Sequence, residues 1–202
     1  LHLLSRRQRQ MCIRDRSSSE KFRRLQHLLT FFYTMSAITL DDMLAARDAR
    51  CCKQRQLLKA HPDATLVVLT VVLPGNEKRN DTSLQVARAA VKAVTQALHT
   101  DIQHAEQHDL PTGFEAYWTV RGELKTVKLK MVELEEKHPL GRLFDLDVIA
   151  PDGIPVSRQE VGFAARRCLL CSNEARFCMR NRTHTYAEIL EHIKRMTDAY
   201  CD

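Results

Sequence analysis

No part of this sequence approaches the roughly 18 consecutive apolar residues that a bilayer-spanning helix requires, and the apolar stretch at residues 28–33 is too short to anchor the chain. A membrane partner is therefore not expected. The chain also lacks the long apolar core and small-residue cleavage site of a secretory signal. Its seven cysteines do not form the framework of a small secreted domain, because three of them cluster in an otherwise unexceptional stretch. A reducing, cytoplasmic location is the expectation.

Most of the chain also lacks any surplus of charge. The formal net charge is +6, which by itself would suggest a polyanionic partner. Residues 1–34 account for it, with Arg6, Arg7, Arg9, Arg14, Arg16, Lys21, Arg23 and Arg24 set against only Asp15 and Glu20. The remaining residues balance, and they hold no basic stripe with interleaved aromatics. Nucleic-acid binding thereby loses its main support.

The composition that is present, 44% hydrophobic and 28% charged, is that of an ordinary globular protein long enough for one well-formed core. Residues 1–34 stand apart from it. They have no steady hydrophobic period and contain the run Met11-Cys12-Ile13-Arg14-Asp15-Arg16-Ser17-Ser18-Ser19. The expectation is an extraneous or disordered basic tail, with an amphipathic helix over residues 20–32 as the rival, a true start at Met35, and a single domain over residues 35–202.

From Met35 the pattern is regular. Thr39 with Asp42 three residues on is a capping-box variant that opens a helix over about residues 41–59. Its polar middle, Arg47 to Arg55, reads as a solvated face, with a basic face turned to a phosphate-bearing ligand as the rival. His61-Pro62 breaks it, and residues 64–73 form a continuous β-branched run, as in a strand buried on both faces. Pro74-Gly75-Asn76-Glu77-Lys78-Arg79 ends that strand as a turn, and its glycine and two cations make it a weak phosphate-loop candidate. Asp81 or Ser83 caps a packing helix to about His99, with Leu84, Ala87, Val91, Val94 and Leu98 on one stripe.

Residues 100–113 are polar, and His104 and His108 would share a metal only on a helix; with no third ligand near, they read as surface imidazoles. Residues 114–120 spell a strand around Trp118, and residues 123–137 return to helical spacing until His138-Pro139 stops it. Pro151-Asp152-Gly153 marks a hairpin after Val148, and Pro155 pushes its second strand toward a sheet edge. A closing helix spans residues 186–196, capped by Thr183 or Thr185. The fold class expected is α+β, a mixed sheet with packing helices.

Two stretches carry chemistry. In Phe144-Asp145-Leu146-Asp147-Val148 the carboxylates alternate with apolar residues, which puts Asp145 and Asp147 on one strand face about 6.5 Å apart. Carboxylates so placed can hold Mg²⁺ together with a substrate phosphate, and a polar outer strand face is the plain alternative. Further on, Cys168, Cys171, Cys178 and His184 offer three thiolates and an imidazole, the donor set of a closed structural zinc site; buried free thiols or a redox pair are the alternatives. The same residues, 163–184, hold Arg166, Arg167, Arg176, Arg180 and Arg182 against Glu174 alone. Arginine suits bidentate phosphate recognition. A two-carboxylate metal centre and an arginine cluster are complementary halves of a phosphoryl or nucleotidyl transfer site.

Taken together, His138-Pro-Leu-Gly-Arg-Leu-Phe-Asp-Leu-Asp147-Val, Arg166-Arg-Cys-Leu-Leu-Cys171 and Cys178-Met-Arg-Asn-Arg-Thr-His184 resemble the holo-citrate lyase synthase family, the apo-citrate lyase phosphoribosyl-dephospho-CoA transferases. The similarity extends to Leu44-Ala-Ala-Arg-Asp-Ala-Arg50 and Leu69-Thr-Val-Val-Leu-Pro-Gly75. It implies that a serine of the acyl-carrier subunit of citrate lyase attacks the α-phosphate of 2′-(5″-triphosphoribosyl)-3′-dephospho-CoA and releases pyrophosphate. On that reading Asp145 and Asp147 hold Mg²⁺. Arg142, with Arg166, Arg167, Arg180, Arg182 and more weakly Lys78, bears on the triphosphate. The run from Gly141 to Asp147 also resembles the short metal motif of polymerase beta-like nucleotidyltransferases, a local analogy that bears more on nucleotidyl-transfer chemistry than on the nucleotidyltransferase-like fold it also implies. His138 is a possible general base, and a structural role for it is weighed equally. The alternatives are a zinc-stabilised protein- or nucleic-acid-binding module without catalysis, and transfer to a related carrier such as that of malonate decarboxylase.

Overall fold

The computed structural model describes residues 38–200. The expectations for residues 1–34 and for a start at Met35 lie outside the described residues.

The chain opens with α1, Leu40–Ala60. Thr39 caps it as expected: the Asp42 N–H donates to Thr39 Oγ1 at 3.1 Å while Thr39 N–H donates to Asp42 Oδ2 at 2.9 Å. The Thr39 hydroxyl and N–H together hold the Asp42 carboxyl below its ordinary pKa. Only Leu57 of this helix is fully buried. Met43, Ala46, Arg50 and Lys53 are half-buried on the same face, so the polar middle is turned partly inward.

Strand β1, Thr65–Val71, follows, and then α2, Asp81–Leu98. The α2 cap is Asn80, whose Oδ1 accepts the Ser83 N–H at 2.8 Å. Ser83 is therefore the third helical residue of a capping box rather than the cap, and Asp81 is the first. The buried stripe runs through Val86, Ala87, Ala90, Ala93, Val94 and Leu98, while Val91 packs at its margin and Leu84 is half-buried.

Residues 100–113 hold a strand that the sequence reading did not assign. Here β2, Ile102–Leu110, forms a hairpin with β3, Gly113–Val120. Every β2 side chain is half-buried or exposed, so its alternation carries almost no apolar signal; pairing with β3 supplies what its own sequence does not. Next come α3, Leu124–Lys137, a 3₁₀ turn at Gly141–Leu143, and β4, Phe144–Ile149. Gly141 is required by close approach, because a Cβ there would lie 2.4 Å from Leu134 O and 2.6 Å from Glu135 O. This lets the entry to β4 lie directly against the end of α3.

The sheet order is β2-β3-β1-β4. Each pairing is antiparallel, so the α+β class holds but the sheet is not mixed. The helices make two split βαβ crossovers: α2 links β1 to the parallel β2 with β3 between them, and α3 links β3 to the parallel β4 with β1 between them. One face carries Val67, Leu69, Trp118, Leu146 and Val148 and packs with residues of α2 and α3 in the main core. The other carries Leu66, Val68, Tyr117 and Ile149 against Leu57 of α1.

After β4 the expected hairpin is reduced to a bridge between Ile149 and Pro155, closed by Val156 N–H to Val148 O at 2.8 Å. Two helices end the described chain: α4, Ala175–Asn181, and α5, Tyr186–Asp198. Thr185, not Thr183, caps α5 in a third capping box with Glu188.

Candidate active site

Asp145 and Asp147 alternate with buried Phe144, Leu146 and Val148, so both carboxylates leave β4 on the face that α1 covers. Asp145 stands opposite Thr70 and Asp147 opposite Val68 on β1. The Thr70 hydroxyl donates to Asp145 Oδ2 at 3.2 Å, and Arg166 Nη1 lies 3.9 Å from Asp145 Oδ1. Burial and the neighbouring Asp145 charge push the Asp147 carboxyl above its ordinary pKa, against the opposing pull of Lys128, Arg166 and Arg50.

The outer edge of β4 is closed by side chains rather than by another strand. The Leu146 N–H donates to Glu135 Oε1 at 2.9 Å, Lys128 Nζ donates to Leu146 O at 3.0 Å, and Arg166 donates to Phe144 O. Arg166 also pairs with Glu135 at 2.8 Å, and Arg158 pairs with Glu136 beside it. Glu135 and Lys128 are 3% and 4% exposed. Burial raises the Glu135 carboxyl against Arg166, the Leu146 N–H, Lys128 and Arg158, and lowers the Lys128 ammonium against Glu135, Asp147 and Asp145. An edge strand locked in this way holds its two carboxylates at a fixed pitch.

The other expected residues separate into groups. Arg142 sits on the 3₁₀ turn before β4, donates to Arg167 O and lies 3.8 Å from Glu136; burial lowers its pKa. Arg142 and Arg166 therefore join the carboxylate strand to the arginine-rich segment. Arg167, Arg180 and Arg182 are exposed, the last at the left-handed end of α4 with φ 48°. The Lys78 ammonium donates to Leu73 O at 2.8 Å, which ties it to the end of β1. His138 accepts the Leu140 N–H on Nδ1 at 3.0 Å, and its ring packs 4.8 Å from Phe144 and 5.4 Å from Tyr200; this is its structural role. His104 and His108 stand on a strand, not a helix, and flank Glu106 at 3.7 and 3.8 Å.

Cys168, Cys171, Cys178 and His184 do converge, with one ligand atom from each within 4.8 Å of every other. Cys171 Sγ lies 3.5 Å from Cys178 Sγ and 3.3 Å from His184 Nε2. Tetrahedral zinc with ordinary bond lengths needs edges of about 3.8 Å between sulfurs and about 3.5 Å from sulfur to nitrogen, so the donors fit. Burial opposes ionisation of Cys168, but the Leu170 and Cys171 N–H groups and the Cys178 and Cys171 thiols outweigh it and bring its pKa to about 7. Burial and hydrogen bonds with the Cys171 and Cys168 thiols push Cys178 up. Among the described residues no other group of three or more such donors gathers this closely.

The sequence reading missed Glu115, Lys128, Glu135 and Arg158, and it held Arg50 only within the rival reading of the Arg47–Arg55 face. The signals were faint: Glu115 is a lone carboxylate within an apolar strand, and Lys128 and Glu135 share the inward stripe of α3 with Leu124 and Met131.

The sequence model for apo-citrate lyase phosphoribosyl-dephospho-CoA transferase matches residues 38–200. The chain belongs to this family. It is 35% identical over 174 residues to the apo-citrate lyase phosphoribosyl-dephospho-CoA transferase of Escherichia coli O1:K1, covering 84% of this chain and 94% of that relative. It is 36% identical over 173 residues to the probable apo-citrate lyase phosphoribosyl-dephospho-CoA transferase of Streptococcus pyogenes serotype M3, covering 84% and 90%. Membership in this transferase family does not favour a binding module without catalysis. The match spans both the carboxylate strand and the Cys/His cluster. Among the described residues no helix is long and apolar enough to cross a membrane.

Proposed function

We propose that this transferase moves the 5-phosphoribosyl-dephospho-CoA group from 2′-(5″-triphosphoribosyl)-3′-dephospho-CoA to a serine of the acyl-carrier subunit of citrate lyase, with the chemistry at Asp145 and Asp147. The observation that carries the reading is the carboxylate pair on a locked edge strand, in a chain that matches the family from end to end of its described residues. Two carboxylate oxygens beside a threonine hydroxyl are a hard donor set, suited to Mg²⁺. When bound, Mg²⁺ would supply charge neutralisation on the polyphosphate. Asp145 and Asp147 hold it. Arg166 and Arg142 bear on the triphosphate from the β4 side, and Arg167, Arg180, Arg182 and Lys78 are the outer cations. The serine oxygen bonds to the α-phosphorus as the bond from that phosphorus to the β-phosphate bridge breaks; pyrophosphate departs, and the hydroxyl proton is lost to solvent.

In this reading Cys168, Cys171, Cys178 and His184 hold a structural zinc that folds residues 163–184 and thereby sets Arg166 against β4. Three thiolate ligands suit a reducing cytoplasm. Residues 35–202 act as one transferase domain.

The test is transfer of a labelled dephospho-CoA group to the apo carrier subunit with Mg²⁺. Asp145→Asn and Asp147→Asn are each expected to lose about 10²–10³-fold in rate, the cost of removing a group that stabilises charge in the transition state. Full activity in both would sink the metal-site assignment. Running the carrier of malonate decarboxylase in parallel decides the acceptor: transfer at least as fast to that carrier would move the proposal to a related substrate.

A further inference from the structure

The middle of α1 is tied to the sheet. Arg50 Nε donates to Glu115 Oε1 at 2.9 Å across 65 residues of sequence, and the Tyr117 hydroxyl donates to Glu115 Oε2 at 2.5 Å. Glu115 is 5% exposed and Tyr117 1%. Both oxygens of this carboxylate thus already hold a donor, so Glu115 serves as an anchor and not as an open cation ligand.

The anchored nitrogen decides where the fork of the guanidinium points. Because Nε is fixed, the two terminal nitrogens of Arg50 project onward, and among the described residues neither makes a hydrogen bond. Glu115 and Asp145 flank the same residue, Thr70, from opposite sides of β1. They are therefore separated by two strand spacings, about 10 Å, and Arg50 descends from α1 onto that same face. Its charge is felt at Asp147. The neighbouring α1 cation is not available in the same way, since Lys53 is paired with Glu106 at 2.8 Å. A fixed guanidinium with both terminal nitrogens free of hydrogen bonds among the described residues is the arrangement that bidentate phosphate recognition needs.

We propose that Arg50 contacts the polyphosphate of the substrate above the Asp145 and Asp147 carboxylates, and that Glu115, braced by Tyr117, is a positioning residue that acts through Arg50. The inference rests on the reading of Asp145 and Asp147 as the transfer site. It sets a cation from α1 opposite those supplied by Arg166 and Arg142 from the β4 side. The departing pyrophosphate is then held between Arg50 on one side and Arg166 and Arg142 on the other.

The experiment uses the full chain, the apo carrier subunit, Mg²⁺ and the triphosphoribosyl substrate, with inorganic pyrophosphate as a competing probe. Arg50→Gln is expected to lower kcat/KM by about 10–100-fold and to weaken pyrophosphate inhibition by about 10-fold or more, the scale of a lost charge-assisted hydrogen-bond pair. Arg50→Lys restores little, because an ammonium cannot reproduce the fork. Glu115→Gln gives a smaller loss of the same kind, and the double variant Arg50→Gln/Glu115→Gln is no worse than Arg50→Gln alone. Circular dichroism and melting curves establish that each variant is folded. Folded Arg50→Gln and Arg50→Lys proteins with unchanged kcat/KM and unchanged pyrophosphate inhibition would overturn the role of Arg50. Losses that multiply in the double variant would overturn the role of Glu115. Asp145→Asn separates the two ideas: full activity there brings down the transfer site itself, whereas an inactive Asp145→Asn beside unaffected Arg50 variants brings down this inference alone.

Discussion

Within residues 168–184, four soft donors already lie within 4.8 Å of one another, whereas on β4 two hard carboxylates stand about 6.5 Å apart along a strand and face a partly exposed helix. The first arrangement is closed: every position around a bound ion would be filled by the protein, as in a structural metal site. The second is open and leaves room for substrate oxygens, as a transfer site requires. Arg166 bridges the two regions, because it follows directly on the entry to the Cys/His segment and reaches Glu135, Phe144 O and Asp145. A local fold in one place thus sets an electrostatic element in the other.

Stripping metal is expected to have the largest effect, and an unequal one. Zinc bound by such a donor set contributes about 10–16 kcal/mol of apparent binding free energy in small folded modules, so a chelator, or Cys171→Ser, should melt residues 163–184 and release one zinc per chain. The antiparallel sheet should remain folded. Hydrogen exchange resolved by segment checks this, and equal loss of protection in β1 and β3 would break the distinction between the regions.

Next in size is the lock on the β4 edge. Glu135→Ala leaves Arg166 and Arg158 without their shared partner, removes the charge opposing buried Lys128 and leaves the Leu146 N–H unpaired, a loss expected to cost about 3–5 kcal/mol of stability. Denaturant unfolding measures it. Glu135→Gln keeps the acceptor for Leu146 and should cost less; equal costs would mean that the charge accounts for the whole loss and the hydrogen bond to the Leu146 N–H for none of it.

The smallest expected effect concerns Asp147. Its carboxyl is raised by burial and by Asp145, so the folded state binds this proton more tightly than the unfolded chain does. Stability at this group is therefore greatest below the ordinary carboxylate range and falls as pH rises through the raised value. Without divalent metal, Asp147→Asn should flatten that slope and raise the melting temperature slightly at neutral pH, while transfer is lost. A lower melting temperature for Asp147→Asn at every pH would show that the charge is already stabilised by Lys128, Arg166 and Arg50.

The alternation of Asp145 and Asp147 with Phe144, Leu146 and Val148, the capping box at Thr39, the stop at His138-Pro139 and the Cys/His spacing were all legible because each is a local pattern, complete within fewer than twenty residues. The β2 strand was not, because its side chains are polar on both faces and only its neighbour β3 makes it a strand. Glu115 was hidden for the same reason: nothing near it in sequence distinguishes an anchoring carboxylate from a surface one.

By itself, then, the sequence determined the helix ends, the pitch of the carboxylate pair and the donor set of the Cys/His cluster, since period, capping and spacing act over short range. Tertiary structure alone decided that the sheet is antiparallel throughout, that α3 seals β4 through Lys128 and Glu135, and that Arg50 meets Glu115. Those arrangements depend on burial and charge pairing between segments far apart in the chain, where the free energy of a contact exists only after the strands have assembled.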